Sequence, residues 1–322
     1  MFNIWRQSLC LIFVFVLLSS AMAKAEPLDA AASDPNVMGW MQGFPPADDR
    51  IIGYPASDYF SFPKLRWTFC HFREIQATKR VGRGLGPVSP FSEALDPAIA
   101  DVTFTPIGAT EEMTWKASLD ANYTDGMLIL HRGEIVYEYY SGCLDREGRH
   151  GAMSVTKSFV GTIAEILIAE GDLHESKLVS EYVPELAPSA FGNATVRQVM
   201  DMTTGLDYNE NYADPESDIW LYAAAGDPTP KPESYKGPRN FYEFLQGVEQ
   251  EGIHGDAFIY KSINTDALAW VIARATGKDF IEHLSERIWK PLGMEQEADM
   301  MIDSLGTPFS AGGLILSLRD AA

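Results

Sequence analysis

The stretch that most narrows the fold runs from Ser154 to Glu170, SVTKSFVGTIAEILIAE, and stops at Gly171. Past its first turn it is apolar nearly all round, so it predicts a central helix covered on every side. Such a helix needs a large core. A chain of 322 residues, 46% of them hydrophobic, can build one within a single large domain or two modest ones. Yet Ser154 and, three residues on, Lys157 stand at the mouth of this segment. A serine at a helix start lies beside free backbone N–H groups and the positive end of the helix dipole. The residue three along shares its face, so hydroxyl and amine can touch. Burial disfavours the charged form of a lysine, and a neutral amine can take a serine proton. The same pair also fits a serine that only caps the helix and a lysine that snorkels to solvent. The two residues alone do not choose.

Ser-x-x-Lys is a weak signal, since about one match is expected by chance in a chain this long. There is a second match here, Ser61 to Lys64 in SFPK. Pro63 lacks a backbone N–H and disfavours a helix interior, so this match predicts a loop with no shared face. Only the later pair is followed by an apolar helical run.

Around it, Met127–His131 and Glu134–Tyr140 are β-rich runs separated by Arg132-Gly133, which predicts a hairpin. Downstream the signals are helical. One helix opens at Thr195 and runs to Gly205. Another has Asn264 as its cap and Gly277 as its stop, and a third carries Phe280, Ile281, Leu284 and Ile288 at helical spacing and ends at Pro291. Strands first and helices after, without regular alternation, predict an α+β arrangement. Residues 26–100 are rich in Pro, Gly and aromatics and show neither period, which predicts an irregular wrap held by aromatic packing. Tyr260 lies in a loop just before the Asn264 helix. It can relay a proton to a leaving group, or it can simply pack against the core.

Other features bound the setting. Residues 1–25 carry Arg6, an apolar run from Leu9 to Leu18 and small residues at Ala23 and Ala25, the pattern of a cleaved export signal. The alternative is an uncleaved anchor, for which a run of ten residues is short. With the signal removed, no stable membrane anchor is expected, and the destination is periplasmic or secreted. Cys70 and Cys143 remain, and either pair in a disulfide or stay as buried thiols. A formal net charge of −20 argues against nucleic acid and anionic membrane as partners. The histidines, at 71, 131, 150, 174, 254 and 283, are scattered and form no zinc-like pair, so no metal is expected.

Six stretches together carry a resemblance: HRGEIVYEYY, MSVTKSFVG, VPELAPSAFGNATVRQVMDMTTGLDYNENY, YKSINTDALAWVIARATG, WKPLGM and SAGGLILSLRD. The chain resembles the serine β-lactamase and penicillin-recognising hydrolase superfamily. It looks closest to the class C β-lactamase-related branch that includes esterases and 6-aminohexanoate-dimer hydrolases. The likeness covers roughly residues 100–322. It implies an antiparallel sheet flanked by helices plus a mostly helical region, with the hydrolase domain over residues 101–322.

The resemblance also implies roles. Ser154 would be the acylated nucleophile, Lys157 its base and Tyr260 the tyrosine of the family's Tyr-x-Asn element. Here that element reads Tyr260-Lys261-Ser262, and Ser262 in place of asparagine weakens a β-lactam assignment. Ser262 and Tyr212 would contact substrate, a small ester or amide. Backbone N–H groups, one of them that of Ser154, would hold the oxyanion, and no cofactor is implied. The alternatives are a β-lactamase or peptidoglycan peptidase, and an inactive truncated remnant. The family's third site element, His/Lys-Thr/Ser-Gly on a late strand, has no match after residue 260. By the resemblance the closing strands are absent from this chain, and the early hairpin is expected to lack strand neighbours and to show a bare edge.

Overall fold

The computed structural model describes residues 27–53 and 57–322, so the export-signal reading of residues 1–25 falls outside the described residues. The segment before residue 100 is not irregular throughout. Helix α1, Leu65–Ile75, buries Trp67, Phe72 and Ile75 and leads into strand β1, Thr78–Val81. Those three side chains meet Trp40, Ile52, Met301 and Ile315 in a small second core. A disulfide between Cys70 and Cys143 ties α1 to the segment that follows the hairpin.

Strand β2, Ser92–Glu93, precedes the hairpin formed by β3, Gly126–His131, and β4, Glu134–Tyr140. Arg132 and Gly133 both adopt positive φ, 54° and 83°, as a two-residue turn matched to strand twist requires. The hairpin is not without neighbours. β2 lies parallel to β4, with Ser92 opposite Glu134 and Glu93 opposite Ile135. The expectation failed because a two-residue strand leaves no periodic trace in the sequence.

The chain then passes through β5, His150–Gly151, into α2, Thr156–Glu170. There follow α3, Val196–Met200, α4, Asp218–Gly226, α5, Phe241–Gln246, α6, Ile263–Thr276, and α7, Phe280–Leu284. It returns through β6, Ala298–Met301, and β7, Leu314–Leu316, to α8, Leu318–Ala321. Among the described residues, a four-stranded antiparallel sheet runs in the order β1, β6, β7, β5. It is therefore assembled from distant parts of the chain.

Four helical segments depart from expectation. α2 is not covered on every side: Val160, Ile163, Ala164 and Leu167 are buried, while Ser158, Thr162, Glu165 and Ala169 face solvent. The helix covered all round is α6, where every residue from Ile263 to Ile272 is buried. Nor is Asn264 its cap. Ser262 holds that position, and the buried Asn264 side chain accepts from Thr204 Oγ1 at 2.7 Å and donates to the Lys261 carbonyl at 3.1 Å. α3 is capped by Thr195, as expected, with Gln198 bonding back to it, but it ends at Met200 rather than Gly205. The region from Phe280 carries on through a wider turn past Pro291, and its last short helix ends at Gly293.

The last helix is fastened to the hairpin by charge. Arg319 is 4% exposed and donates to Glu138 at 2.7 and 2.6 Å and to Glu93 at 2.6 Å. That pairing holds the Glu138 carboxyl below its ordinary range.

Candidate active site

The site forms where β5 turns into α2. Gly151 leaves the sheet at a point where any Cβ would lie 2.6 Å from Phe72 Cε2, so the strand can approach α1 only as glycine. Met153, directly before Ser154, sits at φ 46°, a left-handed conformation that costs about 1 kcal/mol or more for a side chain of its kind. This bend puts Ser154 on a single tight turn, Met153–Val155, ahead of α2. Its hydroxyl stands exposed at the corner.

Two side chains converge on that hydroxyl. Lys157 Nζ lies 3.0 Å from Ser154 Oγ, and Tyr260 OH lies 2.9 Å from the same oxygen. Tyr260 reaches it from the loop before α6, across 106 residues of sequence, and is 44% exposed. Lys157 is half-buried, but not in hydrocarbon as an all-apolar helix would imply. Its Nζ also donates to the Ala311 carbonyl at 2.6 Å and sits 5.1 Å from the centre of the Tyr260 ring. Polar atoms and an aromatic face therefore surround it. The early Ser-x-x-Lys match behaves as a loop: Ser61 Oγ donates to the Asp58 carbonyl at 2.6 Å, and Lys64 Nζ to the Asp58 carboxylate at 2.6 Å.

Ser262 and Tyr212 come together through a residue that sequence reasoning missed. Glu210 accepts from the Ser262 backbone N–H at 2.7 Å, from Ser262 Oγ at 2.6 Å and from Tyr212 OH at 2.8 Å. Ser262 is 4% exposed, so its hydroxyl serves the carboxylate rather than open solvent. Tyr212 is 60% exposed, with its ring edge-on to Trp220 at 6.0 Å. Partial burial and the bond to Glu210 hold its phenol above the ordinary range. No motif marks Glu210 in NENYADP. Its role depends on a fold that brings residues 52 apart into contact.

Asp266, also missed, lies behind the site. Its side chain accepts from Tyr222 OH and, at 3.2 Å, from the Ala311 backbone N–H. Burial pushes its carboxyl up to about 7. A signal for it does exist in the sequence: a lone acid in the helix NTDALAWVIA, which is otherwise built for burial.

The described residues contain no group of His, Cys, Asp and Glu able to hold a metal ion, and no helix long and apolar enough to cross a membrane. The arrangement can do one kind of chemistry well. A primary hydroxyl with an amine and a phenol at hydrogen-bond distance can be deprotonated as it attacks and can pass a proton on.

Known proteins resemble this chain in sequence and in fold. The β-lactamase family model matches residues 120–296. Over 295 residues the chain is 34% identical to the 6-aminohexanoate-dimer hydrolase of Paenarthrobacter ureafaciens, covering 91% of this chain and 67% of that one. The structure of a Bacillus anthracis protein described as a "putative 6-aminohexanoate-dimer hydrolase" superposes with a TM-score of 0.75 at 32% identity. That match covers 81% of this chain and 68% of the other. The chain thus spans about two thirds of the length of both relatives.

Proposed function

Because the chain belongs to the β-lactamase family and is a hydrolase of that fold, we propose that it cleaves a small ester or linear amide through an acyl-enzyme on Ser154. The observation that carries this reading is the meeting of Lys157 Nζ and Tyr260 OH on one serine oxygen. Ser154 Oγ attacks the carbonyl carbon while Lys157 Nζ takes the hydroxyl proton. The backbone N–H of Ser154 steadies the oxyanion. As the tetrahedral intermediate collapses, Tyr260 delivers a proton to the departing alcohol or amine. Water then enters by the reverse proton route and releases the acid.

Features around the serine support a short carbon chain as substrate. Val155 follows it directly, Ile259 precedes Tyr260, and both are exposed, as are Tyr212 and Trp220. The name of the Paenarthrobacter relative, a 6-aminohexanoate-dimer hydrolase, points the same way, to a linear amide. A β-lactam reading is less well supported, because Ser262 stands where an amide-holding asparagine would be and its hydroxyl is bonded to Glu210. We also infer export, which the residue 1–25 pattern and the Cys70–Cys143 disulfide support.

The test is turnover of a p-nitrophenyl ester by the purified protein and by Ser154→Ala, with folding checked by circular dichroism. The expected result is loss of turnover with an unchanged spectrum. Equal turnover in the variant removes Ser154 from the mechanism. Rapid turnover of a chromogenic cephalosporin by the parent protein would replace the ester or amide reading with a β-lactamase one.

A further inference from the structure

We propose that Asp266 is a positioning residue of this site, whose buried carboxylate fixes the backbone of Ala311 at its N–H and, through that residue, the amine of Lys157; this rests on the reading of Ser154 as nucleophile. The connection is a chain of hydrogen bonds. Asp266 Oδ1 accepts the Ala311 N–H at 3.2 Å, and the carbonyl of the same residue accepts Lys157 Nζ at 2.6 Å. Lys157 in turn lies 3.0 Å from Ser154 Oγ. A lysine side chain has four rotatable bonds and many rotamers, so an amine without an anchor would spend little time on the serine. The Ala311 carbonyl is that anchor, and it is only as well placed as the backbone of its residue, which Asp266 holds at the N–H.

That stretch of backbone is held from several sides. Ala311 is 1% exposed. The following turn returns through Gly313 N–H to the Phe309 carbonyl at 2.7 Å, and Leu314 N–H donates to Thr156 Oγ1 at 3.2 Å. Asp266 is the side chain that meets the Ala311 N–H. The carboxylate is aimed by Tyr222, whose hydroxyl donates to its other oxygen and whose ring is wedged among Phe241, Phe244 and Phe309. A buried carboxyl is costly to keep, and burial raises this one to about 7. Alanine or leucine would fill the position in α6 at lower cost, so a fixed task for the acid is the economical explanation. The titratable groups that face it are Lys157 from α2, Tyr222 from α4, and Tyr208 from the segment before α4.

The experiment measures kcat per active site, titrated by the p-nitrophenol burst, and KM for a p-nitrophenyl ester. It uses the parent, Asp266→Ala, Asp266→Asn, Tyr222→Phe and Ser154→Ala. A displacement near 1 Å at a reacting group can cost about a hundredfold, so Asp266→Ala should lose about 10- to 100-fold in kcat with KM little changed. Asp266→Asn keeps an oxygen for the Ala311 N–H and should recover to within about threefold of the parent. Tyr222→Phe is nearly isosteric, which keeps the test alive if the alanine variant does not fold. It should lose about three- to tenfold in kcat, again with KM held. A purely structural acid would lower the melting temperature and the number of titrated sites while leaving kcat per site unchanged. That result, an asparagine variant no better than alanine, or an unchanged kcat in Tyr222→Phe would each overturn the assignment of Asp266 alone. Parent-like turnover in Ser154→Ala would overturn the nucleophile reading and this inference together.

Discussion

Removing the carboxylate of Glu210 should loosen the loop that carries Tyr260 and slow catalysis without weakening substrate binding. The Ser262 N–H and hydroxyl both end on this acid, at 2.7 and 2.6 Å, and Ser262 lies two residues beyond Tyr260. In Glu210→Ala, two nearly inaccessible donors lose their partner. Each unsatisfied buried group costs about 1–3 kcal/mol, and the hydroxyl can turn elsewhere, so the loss of stability should be about 2–3 kcal/mol. The third bond, from Tyr212, adds little because that side chain is largely exposed. The catalytic effect comes from Tyr260, whose hydroxyl must stay near Ser154 Oγ. A shift approaching 1 Å should cost about 10- to 100-fold in kcat. Glu210→Gln provides the control. Its amide oxygen can face the Ser262 N–H while both hydroxyls rotate to accept from its amide NH2, so only charge assistance is lost, about 1 kcal/mol. The assay is steady-state hydrolysis of a p-nitrophenyl ester together with urea unfolding of each variant. A raised KM with kcat intact in Glu210→Ala would show that the acid binds substrate directly, and would refute the positioning account.

Three further expectations follow from the same geometry. Tyr260→Phe keeps the ring over Lys157 but removes the proton carrier, so kcat should fall about 10²- to 10⁴-fold with the fold intact, and a kcat within a few-fold of the parent would remove Tyr260 from proton transfer. Replacing both Cys70 and Cys143 by serine opens a link between residues 73 apart, which loop-closure entropy values at about 4 kcal/mol; unfolding midpoints in urea that coincide with the parent's would contradict this. Asp266 has its folded pKa raised from 3.8 to about 7, so its contribution to stability is full below about pH 4, is lost as pH rises to about 7 and is flat above, for a total of at most about 4 kcal/mol; Asp266→Asn should flatten that slope, and parallel stability–pH curves for variant and parent would refute the assignment.

How much of this was legible in the sequence depends on where each signal lay. Ser154 and Lys157 are legible because the apolar run after them predicts a shared helical face, and Pro63 disqualifies the rival match. The hairpin was legible because Arg132-Gly133 is a turn chemistry with a mechanism. The four-stranded sheet was not. β5 has two residues, and every residue of β6 and β7 is buried, so none shows the alternation by which strands are recognised. Glu210 escaped for a different reason, and Asp266, although marked as a lone acid in a helix built for burial, gave no hint of its partners. Each bonds to backbone or hydroxyl groups dozens of residues away, and neither spacing nor composition encodes such a pairing.

The misjudged burial of α2 shows what an apolar helix does and does not say about its polar residues. From sequence, a lysine on an apolar helix reads as a lysine in hydrocarbon. In the fold, the apolar stripe of α2 covers α6 and the neighbouring core, while its first turn opens onto the Ala311 carbonyl and the Tyr260 ring. The helix that is buried all round is α6, and its first turns hold Asn264 and Asp266. A buried polar group must find a partner or pay the full cost of desolvation, so each such residue requires that another segment come to it. Asn264 draws in Thr204, and Asp266 draws in Tyr222 and the Ala311 peptide. The polar residues of the most buried helix therefore fix where distant segments converge, and the convergence that Asp266 fixes, at Ala311, meets the amine of Lys157. The lysine's setting is decided by those contacts, not by the apolarity of its own helix.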